Sequence, residues 1–447
     1  MTRLKHFSIL ALLTIAAQGA WGQTETSLSL PDAKDNSSAI LEYNNQRCDV
    51  TLQDRTLYQD GDWNTLGLPF SMTSDQLNSS PLVGATIKQL DESNSNLDND
   101  GKLTLAFLEA STIEAGKPYI VKWFAINSQA DWDAFTRDID NGTPSYKGKI
   151  VKLNTDITVD ADKMVGTSNK PFKGIFDGSG HTITCNIAGD NEQGIAPFWY
   201  IQDATIKNVK VEGTVKGGQH CAGLVGFASG NNTITHCEVA ATISSSAKYC
   251  GGVLGNVIDT SQDDGTPSTA TIDCCLFSGS INASNATVGT ICGWADNGTT
   301  QNLYYCVANG TYDIIKGNGT QTVEGCYKKE SISSDDLATL KEHDWTDGPM
   351  PVMDNTPNLV NPVFKGVTIA NTNNGVTFTG GTFKGNYAPL TIDDSNRNDI
   401  LLLTSGNKLG YAKTNRTLNA FRAYFEIPTQ SASQAQAVSS FVLDFGD

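Results

Sequence analysis

Ile206-Lys-Asn-Val209, Ile234-Thr-His-Cys237, Ile272-Asp-Cys-Cys275 and Leu303-Tyr-Tyr-Cys306 align without gaps on one apolar pattern, and Val323-Glu-Gly-Cys326 fits the same frame. Each of the first four is followed by a stretch such as Val211-Glu-Gly-Thr-Val215 or Phe277-Ser-Gly-Ser-Ile281. Between them recurs a second element: Cys221-Ala-Gly-Leu-Val-Gly226, Cys250-Gly-Gly-Val-Leu-Gly255 and Val288-Gly-Thr-Ile-Cys-Gly293. The steps from Val209 to Cys237, Cys275 and Cys306 are 28, 38 and 31 residues. The long step holds Ser261–Ala270, an Asp/Gly/Pro/Ser insertion that reads as a loop. Short β-branched runs at a near-fixed period, with Gly and Asn turns and no helical periodicity between them, predict a solenoid of parallel strands. The predicted fold class is all-β: a right-handed parallel β-helix with a flanking β-sandwich domain.

In such a coil equivalent positions stack about 4.8 Å apart, so like residues form ladders. Cys237, Cys275, Cys306 and Cys326 share the place of Val209, and Cys221 and Cys250 share that of Val288. A thiol that exchanges with valine acts as a small hydrophobe, which predicts buried free thiols ahead of stacked disulfides.

Outward from the repeat, Ser128-Gln-Ala-Asp131 and Ser333-Ser-Asp-Asp336 open two short helices, expected to cap the two ends of the β-helix at 126–355. Residues 46–125 and 356–447 carry alternating runs such as Leu103-Thr-Leu-Ala-Phe107 and Phe421-Arg-Ala-Tyr-Phe425. They read as the two halves of one discontinuous sandwich. Residues 23–45, rich in Ser, Asp and Asn, read as a linker.

Arg3 and Lys5, the apolar run Phe7–Ala17 and the small residues Ala20 and Gly22 read as a signal peptide over 1–22. The protein is therefore expected at the cell surface or outside the cell, with no transmembrane segment after cleavage. The 447 residues carry a net charge of −17, with 48 acidic against 31 basic residues, which excludes a nucleic-acid partner. A monomer is expected.

Gly-Leu-Val-Gly at 223–226, with its echo at 252–255, resembles the GLUG motif of bacterial secreted and surface proteins. Asp131-Trp-Asp-Ala-Phe135 and Phe172–Ile183 resemble the start of the β-helix in such proteins. The flanking segments Gly61–Phe70, Ile113–Tyr119 and Asn419–Phe425 resemble modules of exported Bacteroidota proteins. The resemblance implies adhesins, surface proteins and some peptidases. The zinc motif those peptidases need, two His four apart, has no match among His6, His181, His220, His236 and His343.

The remaining chemistry-bearing patterns have plainer readings. His220-Cys221 and His236-Cys237 place a thiol and an imidazole on opposite faces, which does not converge on a metal. Asn96–Gly101 opens like a calcium loop, but Phe107 stands where the bidentate carboxylate belongs, so a hairpin is expected. Asp177-Gly-Ser-Gly-His181 reads as a turn. Asp259, Asp263, Asp264, Asp273 and Asp296 are available for a polysaccharide lyase or glycoside hydrolase, the alternative reading, but no spacing singles out a pair. A structural stalk is a further alternative. The favoured expectation is a non-catalytic adhesin without cofactor. It would engage glycans or host and matrix macromolecules through Trp199, Tyr200, Tyr249, Trp294, Tyr304 and Tyr305, whose rings offer stacking faces.

Overall fold

The apolar frame of the repeat is the hydrogen-bonded register of an eight-stranded parallel sheet. Ile206 stands opposite Ile234, then Ile272, Leu303 and Val323, and the ladder runs back through Phe176, Val151 and Phe124. The computed structural model describes residues 26–142, 146–189, 192–259, 266–283, 287–428 and 438–446. The expected signal peptide at 1–22 lies outside the described residues, as do Asp263 and Asp264. The protein is mostly β, with parallel multi-stranded sheets in its middle and antiparallel and mixed sheets in its flanks.

Three parallel sheets share the middle region, and the chain visits them in rotation. Thr205–Lys207 in the first sheet leads to Lys210–Gly217 in the second and Val225–Ser229 in the third, and the next turn begins at Asn231–Thr235. In the second sheet Val211 pairs with Val239 and then Phe277, while Val215 pairs with Ile243 and then Ile281. In the third, Cys250 pairs with Val288 and Leu254 with Cys292. All three sheets face one apolar core, in which Ile206, Ile234, Ile272 and Leu303 are fully buried. Each such side chain contributes about 1.5–3 kcal/mol of transfer free energy.

The chain leaves each of the last five strands of the first sheet through one left-handed residue: Asn208, His236, Cys274, Tyr305 and Gly325, at φ 49–61°. This one-residue corner turns the next side chain inward, where Val209, Cys237, Cys275 and Cys306 are fully buried. The thiols of Cys237, Cys275 and Cys306 each lie against the carbonyl oxygen two residues back, at 3.2, 3.2 and 3.3 Å. The ten cysteines are free thiols, nine of them buried and Cys326 half-buried. Burial pushes the Cys292 thiol up to about 12.

The insertion read over Ser261–Ala270 is shorter than expected, because Thr269 and Ala270 already pair with Asn231 and Asn232. The first helix, Gln129–Asn141, forms as read. Ser128 accepts from the Asp131 N–H, Gly142 ends it at φ 73°, and buried Trp132 stands edge-on to Phe176 and Phe198 at the start of the core. The second helix, Ser334–Lys341, has the expected capping box but does not close the far end. It lies along the side of the second sheet, where Leu340 and Trp345 cover Cys274, Leu276 and Val307. Leu276 and Val307 are apolar on the outward face, so that face needs a cover more than the end does. Strand Thr320–Glu324 is consequently exposed along its whole length.

The flanks interleave. Arg47–Gln53 pairs antiparallel with Val363–Thr368, Thr56–Tyr58 with Asn358–Val360, and Lys102–Glu109 runs parallel to Ser440–Asp444. Two apolar cores each draw side chains from both flanks, Phe70 with Phe364 in one and Phe107 with Phe383 and Phe425 in the other. The segment read as a linker is corrected from Thr26 onward. Thr26–Pro31 pairs with Arg47–Gln53, Leu30 and Ile40 are fully buried, and Asp32 forms an ion pair with Arg422. Its polar composition hides a strand whose apolar residues are only Leu28 and Leu30 on the inward face. Asn96–Gly101 is the expected hairpin, with the Asp98 carboxylate accepting from the Asp100 and Lys102 N–H groups. At Asp177–His181 the chain makes the expected turn through Ser179 and Gly180 at φ 49° and 78°.

Candidate functional site

The third sheet carries an outward column of side chains. Tyr200 stands opposite Phe227, Phe227 opposite Asn256 and Asn256 opposite Trp294, one residue from each successive turn. Phe227, Asn256 and Trp294 each follow the last glycine of the recurring six-residue element. The residues just before that element, His220 and Tyr249, come at φ 63° and 68°, rare for side chains of that size.

The glycines explain how the two sets meet. A Cβ on Gly226 would lie 1.7 Å from the Gly194 carbonyl oxygen, and one on Gly255 1.9 Å from that of His220. Each glycine thus lets the preceding loop fold down onto the strand, and the left-handed residue throws its ring beside the column. The outcome is one continuous row. Ring centroids run from Trp199 to Tyr200 at 5.6 Å, Phe227 at 4.7 Å, His220 at 5.6 Å, Tyr249 at 5.4 Å and Trp294 at 4.1 Å. Four strands spaced about 4.8 Å apart give the row a length of about 14 Å.

Trp199, Tyr200, Tyr249 and Trp294 are half-buried and present ring surface, while Phe227 and His220 form the floor between them. Trp199 is fixed by its indole N–H, which donates to the Gln193 carbonyl at 2.9 Å. Two polar atoms of this floor, His220 Nδ1 and Asn256 Oδ1, have no hydrogen-bond partner among the described residues. Leaving such a buried group unmade costs about 1–3 kcal/mol, which a ligand oxygen or a bridging water would relieve. Burial drives the His220 imidazole down to about 4, against a smaller opposing effect of the Asp296 charge, so the ring is neutral near pH 7. A neutral imidazole beside an amide and a row of rings suits an uncharged polyhydroxylated ligand rather than an ion.

Four of the six expected aromatic residues are therefore brought together, and two are not. Tyr305 stacks on His343 at 3.4 Å beneath the segment that follows helix Ser334–Lys341. Tyr304 lies on the outer face of the first sheet between Asp273 and Glu324. His220, Phe227 and Asn256 went unrecognised in the sequence. Their signal was present: they sit at the same offsets from the glycine element as Tyr249 and Trp294. His236 does not face open solvent, as its placement opposite Cys237 implied, but lies 3.6 Å from Asp344. Of the described aspartates considered for hydrolysis, Asp259 and Asp296 lie together and Asp273 lies apart from them. Asp273 is on the first sheet, whereas the Asp259 N–H donates to Asp296 beyond the third. No cluster of three metal-ligating side chains occurs among the described residues.

Comparison with protein-family models, curated proteins and solved structures gives no match. No helix among the described residues is long and apolar enough to cross a membrane.

Proposed function

We propose that the protein is an exported, non-catalytic glycan-binding protein of the bacterial surface, built on a right-handed parallel β-helix and engaging saccharide along the aromatic row of its third sheet. The handedness follows from the rule that crossovers between parallel strands are right-handed in nearly all cases. The observation that carries the function is the row itself: Trp199, Tyr200, Phe227, His220, Tyr249 and Trp294 in unbroken ring contact, floored by two polar atoms without a partner among the described residues. Export and the likeness to GLUG-containing surface proteins rest on the leader and on the Gly-Leu-Val-Gly element.

The test is retention of the chain from Gln23 to Asp447 on immobilised polysaccharides, with the supernatant assayed for released sugar. Retention on a glycan without release, reduced about tenfold or more in Trp294→Ala, is the expected result, since a stacked ring contributes on the order of 1.4 kcal/mol. Release of sugar would replace binding with hydrolysis or elimination. Retention that Trp294→Ala and Tyr249→Ala leave untouched would move binding away from the row.

A further inference from the structure

A second cleft, of about 550 Å³, opens between the two flanks, sharing no residue with the aromatic row. One wall is the segment from Arg55 to Thr65, the other the hairpin tip around Ser405 and the stretch from Arg416 to Ala423. The walls are tied across the chain: the Gly406 N–H donates to Asp62 at 2.7 Å and the Trp63 N–H to Asn407 at 2.8 Å. The cleft is preformed, so a ligand entering it meets little ordering cost.

Its floor holds an incompletely matched cation. Arg55 is only 3% exposed, and its Nη1 and Nη2 donate to the carbonyls of Thr56 and Thr65 at 2.6 and 2.8 Å. Its Nε has no partner among the described residues, and neither does the buried indole N–H of Trp63, which also lines the cleft. Asp32, the carboxylate whose charge acts on Arg55, is already engaged by both terminal nitrogens of Arg422. Arg55 and Arg422 repel each other, and burial together with that repulsion lowers Arg55 to about 9. Buried charges are ordinarily paired, so a second guanidinium beside one shared carboxylate leaves a positive centre awaiting an anion. Arg416 adds a third, exposed guanidinium at the rim.

The rest of the lining narrows the class of anion. Tyr58 is 51% exposed and offers a free ring, while Asp60 and Asp62 stand on the same wall. Carboxylates beside the arginines would repel a polyphosphate but accept hydrogen bonds from hydroxyls. We propose that this cleft binds an acidic sugar, with the sugar carboxylate on Arg416 and Arg422 above Arg55, its ring against Tyr58 and its hydroxyls toward Asp60 and Asp62. In a chain of net charge −17, such a site selects for uronate-bearing chains that the surface as a whole repels.

Calorimetric titration of the Gln23–Asp447 chain with trigalacturonate and with its fully methyl-esterified form tests this. The acid is expected to bind and the neutral ester to lose about tenfold or more, or roughly 1.4 kcal/mol. Arg416→Ala, an exposed change that leaves the folded core untouched, is expected to weaken the acid about tenfold, whereas Lys413→Ala leaves it unchanged. Equal binding of acid and ester, equal losses in both variants, or no binding by the unaltered chain would each overturn the proposal. Dependence on Trp294 in place of Arg416 would also overturn it and assign the acid to the aromatic row.

Discussion

Tyr249 and Tyr305 begin from the same local design. Each is a left-handed residue, at φ 68° and 50°, immediately before an inward cysteine, Cys250 and Cys306. His220 before Cys221 and His236 before Cys237 repeat the pattern. Yet Tyr249 joins an open row with His220 and Trp294, whereas Tyr305 is stacked on His343 and His236 faces Asp344. The corner of the first sheet is roofed by the helix Ser334–Lys341 and the chain after it; the third sheet has no such roof among the described residues. An outward aromatic on a coiled sheet is thus left open or committed to packing according to what lies over it, and nothing in its own turn decides which.

The sharpest way to break the comparison is to remove the glycine that seats the open loop. Gly255→Ala puts a Cβ 1.9 Å from the His220 carbonyl oxygen, so the backbone must move. A loss of about 4 kcal/mol is expected, with retention on glycan abolished, read by urea unfolding and by the polysaccharide assay. Next in size, Leu340→Ala should unseat the roof. This side chain is fully buried against Leu276 and Val307, and its truncation is expected to cost about 3 kcal/mol. Trp345 emission would shift to the red while retention stays unchanged; lost retention would mean that the roof, too, shapes the row.

A third effect depends on pH. His220 in the folded chain titrates at about 4 against an ordinary 6.5, so between these values the unfolded chain holds the extra proton. Stability from this group is full above pH 6.5 and falls as pH drops through the window, by about 2 kcal/mol between pH 7.5 and 5. His220→Gln should flatten that slope, measured as the difference in urea midpoints at the two pH values; an unchanged slope would place the burial penalty elsewhere. The smallest change is Tyr249→Gly, which relieves a left-handed conformation and removes a ring. Stability is expected to stay within about 1 kcal/mol of the parent while retention drops, a separation that marks strain held for binding rather than for folding.

Much of the coiled region was legible because its code is repetitive. Parallel strands in register demand like residues at a fixed period, so aligning Ile206, Ile234, Ile272, Leu303 and Val323 amounted to reading the hydrogen-bonded register. The buried cysteines followed from their exchange with Val209 and Val288. The glycine offsets also held the site, since they place Phe227, Asn256 and Trp294 in one column. That signal was missed because aromatic rings were picked out one by one, without aligning the positions that follow and precede the glycine element, which also hold Phe227, Asn256 and His220. The flanks were less readable: Thr26–Pro31 has two inward leucines among polar residues, too little periodicity to distinguish a strand from a linker.

By itself, then, the sequence determined the period, the register, the inward ladders and the corners that need a left-handed residue, because these depend on contacts between one turn and the next. Which corner stays open, where helix Ser334–Lys341 lies, and how Arg55, Arg422 and Asp32 meet were decided only by tertiary structure. Arg422 and Asp32 stand 390 positions apart in the chain. Pairings at such separations are selected by the total area each arrangement buries, a quantity that no local pattern records.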